Sequence, residues 1–152
     1  MQTTIDSPVG PLAVTVADDG AVTRIDFGAG ARSDDPRFDA VKTQLAEYFA
    51  GERTTFDLPL RPHRGTAFER SVWAELLRIP YGETASYGEI AGRVGRPGKA
   101  RAVGRANGRN PIAIVCPCHR VIGSDGSLVG YGGGLDKKRT LLDLEAGALT
   151  LV

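Results

Sequence analysis

The stretch 66–110 constrains this chain most, because its glycines and prolines cut a helical pattern into three short pieces. In "TAFERSVWAELLRIP", Phe68, Val72, Trp73, Leu76 and Leu77 form one stripe, with Thr66 placed as an N-cap and Glu69 three residues on to complete a capping box. "SYGEIAGRVG" predicts a second helix capped by Ser86, "GRPG" a turn, and "KARAVGRANGRN" a third helix. Three short helices with a Gly/Pro turn between the last two are the pattern of a helix-turn-helix.

Charge follows the same division. The net charge of +1 conceals 6 Lys/Arg against 10 Asp/Glu in residues 1–62, and 13 against 8 in residues 63–152. Residues 92–110 hold six basic side chains (Arg93, Arg96, Lys99, Arg101, Arg105, Arg109) and no acid. Arg101, Arg105 and Arg109 recur every fourth residue, on one helix face. Ala100, Ala102, Gly104 and Ala106 between them are small enough for the backbone to approach a groove. A solvated basic face explains the charge alone. Its place on the second helix of a helix-turn-helix points instead to nucleic acid.

The flanking segments complete an α+β chain of two small domains, 1–62 and 63–152. "TTIDSPVG", "PLAVTVADDG" and "AVTRIDFG" predict strands, with a hairpin turn at Asp18-Asp19-Gly20. "GAGARSDDPR" predicts a flexible loop. From Pro36 a helix follows with Phe38, Val41, Leu45, Tyr48 and Phe49 inward and Gly51 past its end, then "TTFDLPLRPHRG" as an extended linker. This first unit holds no reactive constellation and reads as structural. Beyond the helix-turn-helix, "NPIAIVCP" predicts an apolar strand ended by Pro117, and "GSDGSLVGYGGG" a hairpin or wing. "LDKKRTLLDLEAG" predicts a closing helix with Asp136 as N-cap and Leu141, Leu142 and Leu144 inward. No apolar run approaches the ~20 residues of a membrane span. The start lacks the basic and apolar regions of a secretory signal, and two cysteines one residue apart cannot staple a fold, so the expected home is the cytoplasm.

Both cysteines lie in "IVCPCHRVIG", residues 114–123. A metal site would draw on Cys116, Cys118, His119 and the distant His63, but zinc pairs leave at least two residues between cysteines, and Pro117 stiffens the single one here. Cys116, ending the apolar run, reads as a packed small residue. Cys118 lies past the proline beside His119 and Arg120. A helical turn there would offer its thiol backbone N–H groups and two cations, which populate the thiolate. A base needs an orienting carboxylate, and Glu145 near the end of the last helix is the candidate.

"PCHRVIG" resembles the active-site signature of the O6-alkylguanine-DNA alkyltransferases. The similarity extends through "IPYGETASYGEIA", "ARAVGRANGRNP", "GYGGGL" and "KRTLLDLEAG". The resemblance implies a ribonuclease H-like N-terminal domain followed by a winged helix-turn-helix domain. It implies repair of double-stranded DNA carrying O6-alkylguanine (and O4-alkylthymine) by irreversible transfer of the alkyl group to Cys118, once per chain. His119 would deprotonate Cys118 through a water, Glu145 would orient His119, Asn110 would hold the strand and the active-site turn in register, and Tyr87 would press on a phosphate and protonate the leaving guanine. Arg101 would fill the vacated base stack, with Ala102, Gly104, Arg105 and Ser86 along the DNA. Tyr131, Gly132 and the Val121 carbonyl would line the base pocket. No cofactor, metal or membrane is implied, and the protein would act as a monomer, with cooperative binding along DNA left open. Gly132 stands where many members carry Ser or Thr, and Cys116 where Ile or Val is usual; the zinc site of some members is missing. The residues also leave open a non-catalytic binder of alkylated DNA, from which Cys118 is the discriminating feature, and a cysteine hydrolase, for which no specificity pocket is evident.

Overall fold

Leu12, Val14 and Val16 place one face of a strand inward, and the first layer forms around it. The computed structural model describes residues 1–147; residues 148–152, the end of the expected second domain, lie outside the described residues. Strands β1 (Gln2–Ile5), β2 (Leu12–Val16) and β3 (Val22–Phe27) form an antiparallel sheet in the order β1-β2-β3. Gly20, at φ 86°, turns β2 into β3, and Asp19 accepts from the Ala21 N–H. A single 3₁₀ turn, Pro36–Phe38, leads into α1 (Asp39–Phe49), whose Phe38, Val41, Leu45, Tyr48 and Phe49 are all buried.

Two segments depart from expectation here. The loop 28–37 is not free: Thr3 and Thr4, both buried, bond to Ser33, Ala31 and Gly30 and hold it along β1. The linker after α1 joins the sheet, with Val22 bridging Leu60 in parallel. Farther along β3, the Ile25 N–H donates to the Pro111 carbonyl at 2.9 Å. The open edge of β3 is thus covered by backbone from both halves, which satisfies groups an exposed edge would leave unpaired.

The second half contains α2 (Ala67–Leu76), β4 (Ala85–Ser86), α3 (Tyr87–Arg93) and α4 (Ala100–Gly108), then a 3₁₀ turn at Cys118–Arg120, β5 (Val121–Ile122) and α5 (Leu135–Glu145). Thr66 with Glu69, and Ser86 with Glu89, form complete capping boxes at the starts of α2 and α3. Helices α2, α3 and α4 pack on one another, and the Trp73 indole N–H donates to the Ala106 carbonyl at 2.8 Å. Leu77 falls outside the α2 stripe and is exposed.

The expected strand at "NPIAIVCP" is not formed. Ile112 makes one bridge to Ile25, after which the Cys116 N–H reaches back to the Ile112 carbonyl at 3.0 Å and Ile114 adopts φ 70°. A buried β-branched residue in the left-handed region is strained, so the surroundings must hold it there. The glycine-rich segment after Ile122 is a loop, not an antiparallel hairpin: β5 pairs in parallel with β4, and the Gly123 N–H closes a tight turn on Ser127. Gly134, not Asp136, is the N-cap of α5; Asp136 sits in its first turn, and Leu142 faces only partly inward.

Candidate active site

Asn110 explains how the strained turn is kept. Its Oδ1 accepts from the Ile112 N–H at 3.1 Å, and its Nδ2 donates to the Cys116 carbonyl at 2.9 Å. The side chain therefore supplies the pairing that a strand neighbour would have given. Pro117 then ends the turn, and Cys118 begins a 3₁₀ turn. The expected helical turn is present, and Asn107 Nδ2 donates to the Cys118 carbonyl at 3.3 Å.

The two thiols meet different surroundings. Cys116 packs under α2, with Sγ directed at the Trp73 carbonyl at 3.7 Å, and burial pushes its thiol well up. Cys118 is buried too, and burial raises its thiol, but Asn110, the Lys138 ammonium and nearby backbone N–H groups work against that rise. Cys118 also opens onto a cavity of about 500 Å³. Tyr87, Gly104, Asn107, Tyr131 and Gly132 line it from the second half, and Phe27 from the first. The Tyr131 ring meets Phe27 edge-on with centroids 5.6 Å apart, and its buried hydroxyl has no protein partner among the described residues. A Cβ at Gly133 would lie 2.7 Å from Phe27, so only glycine permits this approach; at Gly132 nothing lies within 4 Å, and that side stays open.

Behind Cys118 lies an ion-pair cluster. His119 Nε2 donates to Glu145 Oε2 at 2.7 Å, and Arg120 donates through Nε to Oε1 at 2.7 Å and through Nη2 to Oε2 at 3.0 Å. A buried carboxylate costs several kcal/mol unless it is well paired. Burial alone would raise Glu145, yet the bonds from His119 and Arg120 hold it down at about 2. His119 is pulled below the ordinary imidazole value, first by burial and then by Arg120 and Lys138, against the opposing pull of Glu145. The bond to Glu145 fixes the neutral ring with its proton on Nε2. Nδ1 is left a buried acceptor with no protein partner among the described residues. Such an arrangement can take a proton from a thiol.

The expected residues divide clearly. Cys118, Asn110, Tyr87, Tyr131, Gly132 and Gly104 meet at the cavity, and His119 and Glu145 stand behind it. Val121 is held in β5 against Ala85 and does not line the cavity. Arg101 lines a shallower depression with Tyr87, Ala100, Gly104, Val129 and Gly130, sharing Tyr87, Gly104 and Gly130 with the main one. Ser86 is engaged as the α3 cap, while Ala102 and Arg105 line a separate shallow patch with Arg96 and Lys99. Two parts of the expected basic face are corrected. Arg109 is tied to Glu69 at 2.5 Å, and Ala106 is buried under Trp73. Gly104 packs beneath the Tyr87 ring, with a Cβ there 3.8 Å from it. His63 is turned to the Thr23 carbonyl and, among the described residues, no three His, Cys, Asp or Glu side chains are grouped to hold a metal.

Two residues emerge only from the structure. Lys138 is completely buried, donates to the Val129 and Gly130 carbonyls at 3.0 and 3.2 Å, and is the cation whose charge bears on Cys118, a role expected of His119 and Arg120. Tyr48 of α1 donates to Glu145 Oε2 at 2.6 Å. Lys138 and Glu145 share the inward stripe of α5 with Leu141 and Leu144, and charge on such a stripe is the one signal the sequence offers.

A cysteine presented at a cavity of about 500 Å³, beside a His–Glu pair and a helix-turn-helix, fits a DNA-directed cysteine alkyl acceptor. Comparison with known proteins agrees with that class. Residues 1–62 match the model of the 6-O-methylguanine DNA methyltransferase, ribonuclease-like domain, and residues 67–147 that of the 6-O-methylguanine DNA methyltransferase, DNA binding domain. The chain is 54% identical over 151 residues to a methylated-DNA–protein-cysteine methyltransferase of Mycobacterium tuberculosis, covering 93% of this chain and 90% of that one. It is 47% identical over 149 residues to the like-named protein of Methanosarcina acetivorans, covering 92% and 94%. It superposes on the crystal structure of Mycobacterium tuberculosis OGT in complex with DNA with a TM-score of 0.87 and 50% identity, covering 97% of this chain and 93% of that one. The chain belongs to the 6-O-methylguanine DNA methyltransferase family.

Proposed function

We propose that this protein repairs duplex DNA by moving the alkyl group of O6-alkylguanine to Cys118, a methylated-DNA–protein-cysteine methyltransferase activity. The target atom lies inside the base stack, so the nucleotide must be flipped out at a cost of a few kcal/mol. Arg101 lines the shallow depression that adjoins the cavity through Tyr87, Gly104 and Gly130, is exposed with no ion pair among the described residues, and takes the vacated place in the stack. Arg96, Lys99 and Arg105 contact phosphates, so affinity falls with salt and carries little sequence preference.

In the cavity the Cys118 proton passes through one water to His119 Nδ1, while Glu145 stabilises the charge that develops on the ring. The thiolate attacks the alkyl carbon; the carbon–O6 bond breaks, its electron pair goes to the guanine, and the guanine takes up one proton, which Tyr87 delivers and regains from water as His119 releases the proton it took from the thiol. The products are guanine and an S-alkyl cysteine. Among the described residues no group lining the cavity offers a way to remove the thioether, so each chain reacts once. The reaction needs a reduced thiol, which supports a cytoplasmic setting, and it needs neither metal nor second subunit.

One observation supports this reading: Cys118 lines the cavity, and the next residue, His119, is held by Glu145 at 2.7 Å with its Nδ1 left unpaired among the described residues. The test is intact-protein mass spectrometry after incubation with a duplex containing O6-methylguanine. One added methyl per chain, with reaction ceasing at stoichiometry, is the expected result. Lesion binding without added mass would make the protein a non-catalytic binder, and repeated turnover would refute the single-use mechanism.

A further inference from the structure

We propose that Tyr48, from the half of the chain without the reactive cysteine, is a positioning residue for alkyl transfer: its hydroxyl and His119 share one oxygen of Glu145, and this contact aims the imidazole. The inference rests on the alkyl-transfer reading above.

Tyr48 is fully buried on α1, 97 positions from Glu145 in the chain, yet its hydroxyl lies 2.6 Å from Oε2. Its ring is fixed independently of that hydroxyl, edge-on to Phe49 at 5.1 Å and Tyr81 at 6.2 Å, and tilted on Phe56 at 5.3 Å. Packing alone would be served by phenylalanine. The hydroxyl adds a donor to the oxygen that already accepts from His119 at 2.7 Å and from Arg120 Nη2 at 3.0 Å. Burial and the negative Glu145 both raise the Tyr48 phenol, so it stays a donor.

The groups facing the His119–Glu145 pair come from several elements. Tyr48 comes from α1, and Tyr81 from the segment after α2, its ring 5.8 Å from the Arg120 guanidinium. Arg120 comes from the 3₁₀ turn with Cys118, and Lys138 from α5, where its charge also bears on His119. Among these, only Tyr48 donates to Glu145 without carrying charge. It can therefore restrain Oε2 and draw on its electron density without adding to the positive potential on the histidine. Without it, Oε2 becomes a stronger acceptor for His119 and the imidazole more basic.

The test uses Tyr48→Phe in single-turnover methyl transfer from an O6-methylguanine duplex, measured from acid to alkaline pH. Transfer at neutral pH should slow roughly tenfold, the scale of one charge-assisted hydrogen bond. The acid limb should move to higher pH, with lesion affinity unchanged. Phe56→Leu disturbs the same aromatic cluster without touching the hydroxyl and should keep the wild-type pH profile. A Tyr48→Phe profile superimposable on wild type overturns the inference, as does a uniform loss with an unshifted acid limb, which would reduce Tyr48 to packing. Wild-type protein that accepts no methyl in the same assay refutes the proposed function instead.

Discussion

Cys116 and Cys118 are the same residue, two positions apart and almost equally buried, at 4% and 7% exposure. They differ in their neighbours and in the cavity each one meets. Cys116 packs under α2 with its thiol on a carbonyl oxygen, lines a smaller cavity of about 200 Å³ walled largely by Trp73, Leu60 and Ile112, and has only the Arg120 charge working against the rise that burial imposes. Cys118 faces Lys138, backbone N–H groups, Asn110 and an open cavity. Burial alone would silence both, so neighbours and access decide which one reacts. Pro117 separates them by ending the strained turn that Asn110 holds and letting a 3₁₀ turn begin.

The largest break in this contrast is Cys118→Ser, which should abolish alkyl transfer while lesion binding persists, as read by methyl incorporation and gel shift; residual transfer to Cys116 would contradict the contrast directly. Glu145→Gln comes next, with an expected loss of roughly a hundredfold, at the lower end for a disabled proton acceptor. Its pH profile is diagnostic. Neutral imidazole is the accepting form, and burial favours it, so wild-type activity should persist as pH falls past the ordinary histidine value of 6.5 and fail only lower. Glu145 is the group that opposes this, so its loss moves the acid limb lower still, opposite to the shift expected for Tyr48→Phe. Lys138→Met removes the cation from Cys118, and single-turnover kinetics should show roughly a tenfold loss at neutral pH, partly restored as pH rises, the equivalent of about one pKa unit. The smallest effect belongs to Cys116→Val: transfer rates within about twofold and a stability change below about 1.5 kcal/mol by denaturant titration, as for a volume-conserving core exchange.

Much of this was legible in the residues. The capping box at Thr66, the cap at Ser86, the α1 stripe and the helix-turn-helix follow from short-range patterns that the structure keeps, whereas Glu145 is a candidate on residue type alone and its bond to His119 appears only in the structure. Three features were not. "NPIAIVCP" has the apolar run of a strand, but the side chain of Asn110 competes for its backbone and folds it into a turn. Lys138 looks like one of a run of exposed cations in "DKKR" until the α5 stripe is set by its neighbours. Tyr48 has the spacing of an ordinary core aromatic, and nothing local tells that its hydroxyl reaches Glu145. Contacts between the halves are invisible to periodicity, which is why the N-terminal half reads as structural although it supplies Phe27 to the cavity and Tyr48 to the ion-pair cluster.

Surroundings, not burial, select the reactive thiol. Fragment-ion mass spectrometry of the peptide spanning both cysteines, after reaction with an O6-methylguanine duplex, tests it most directly. The methyl should lie wholly on Cys118. A methyl shared with Cys116, or found there alone, would contradict the account.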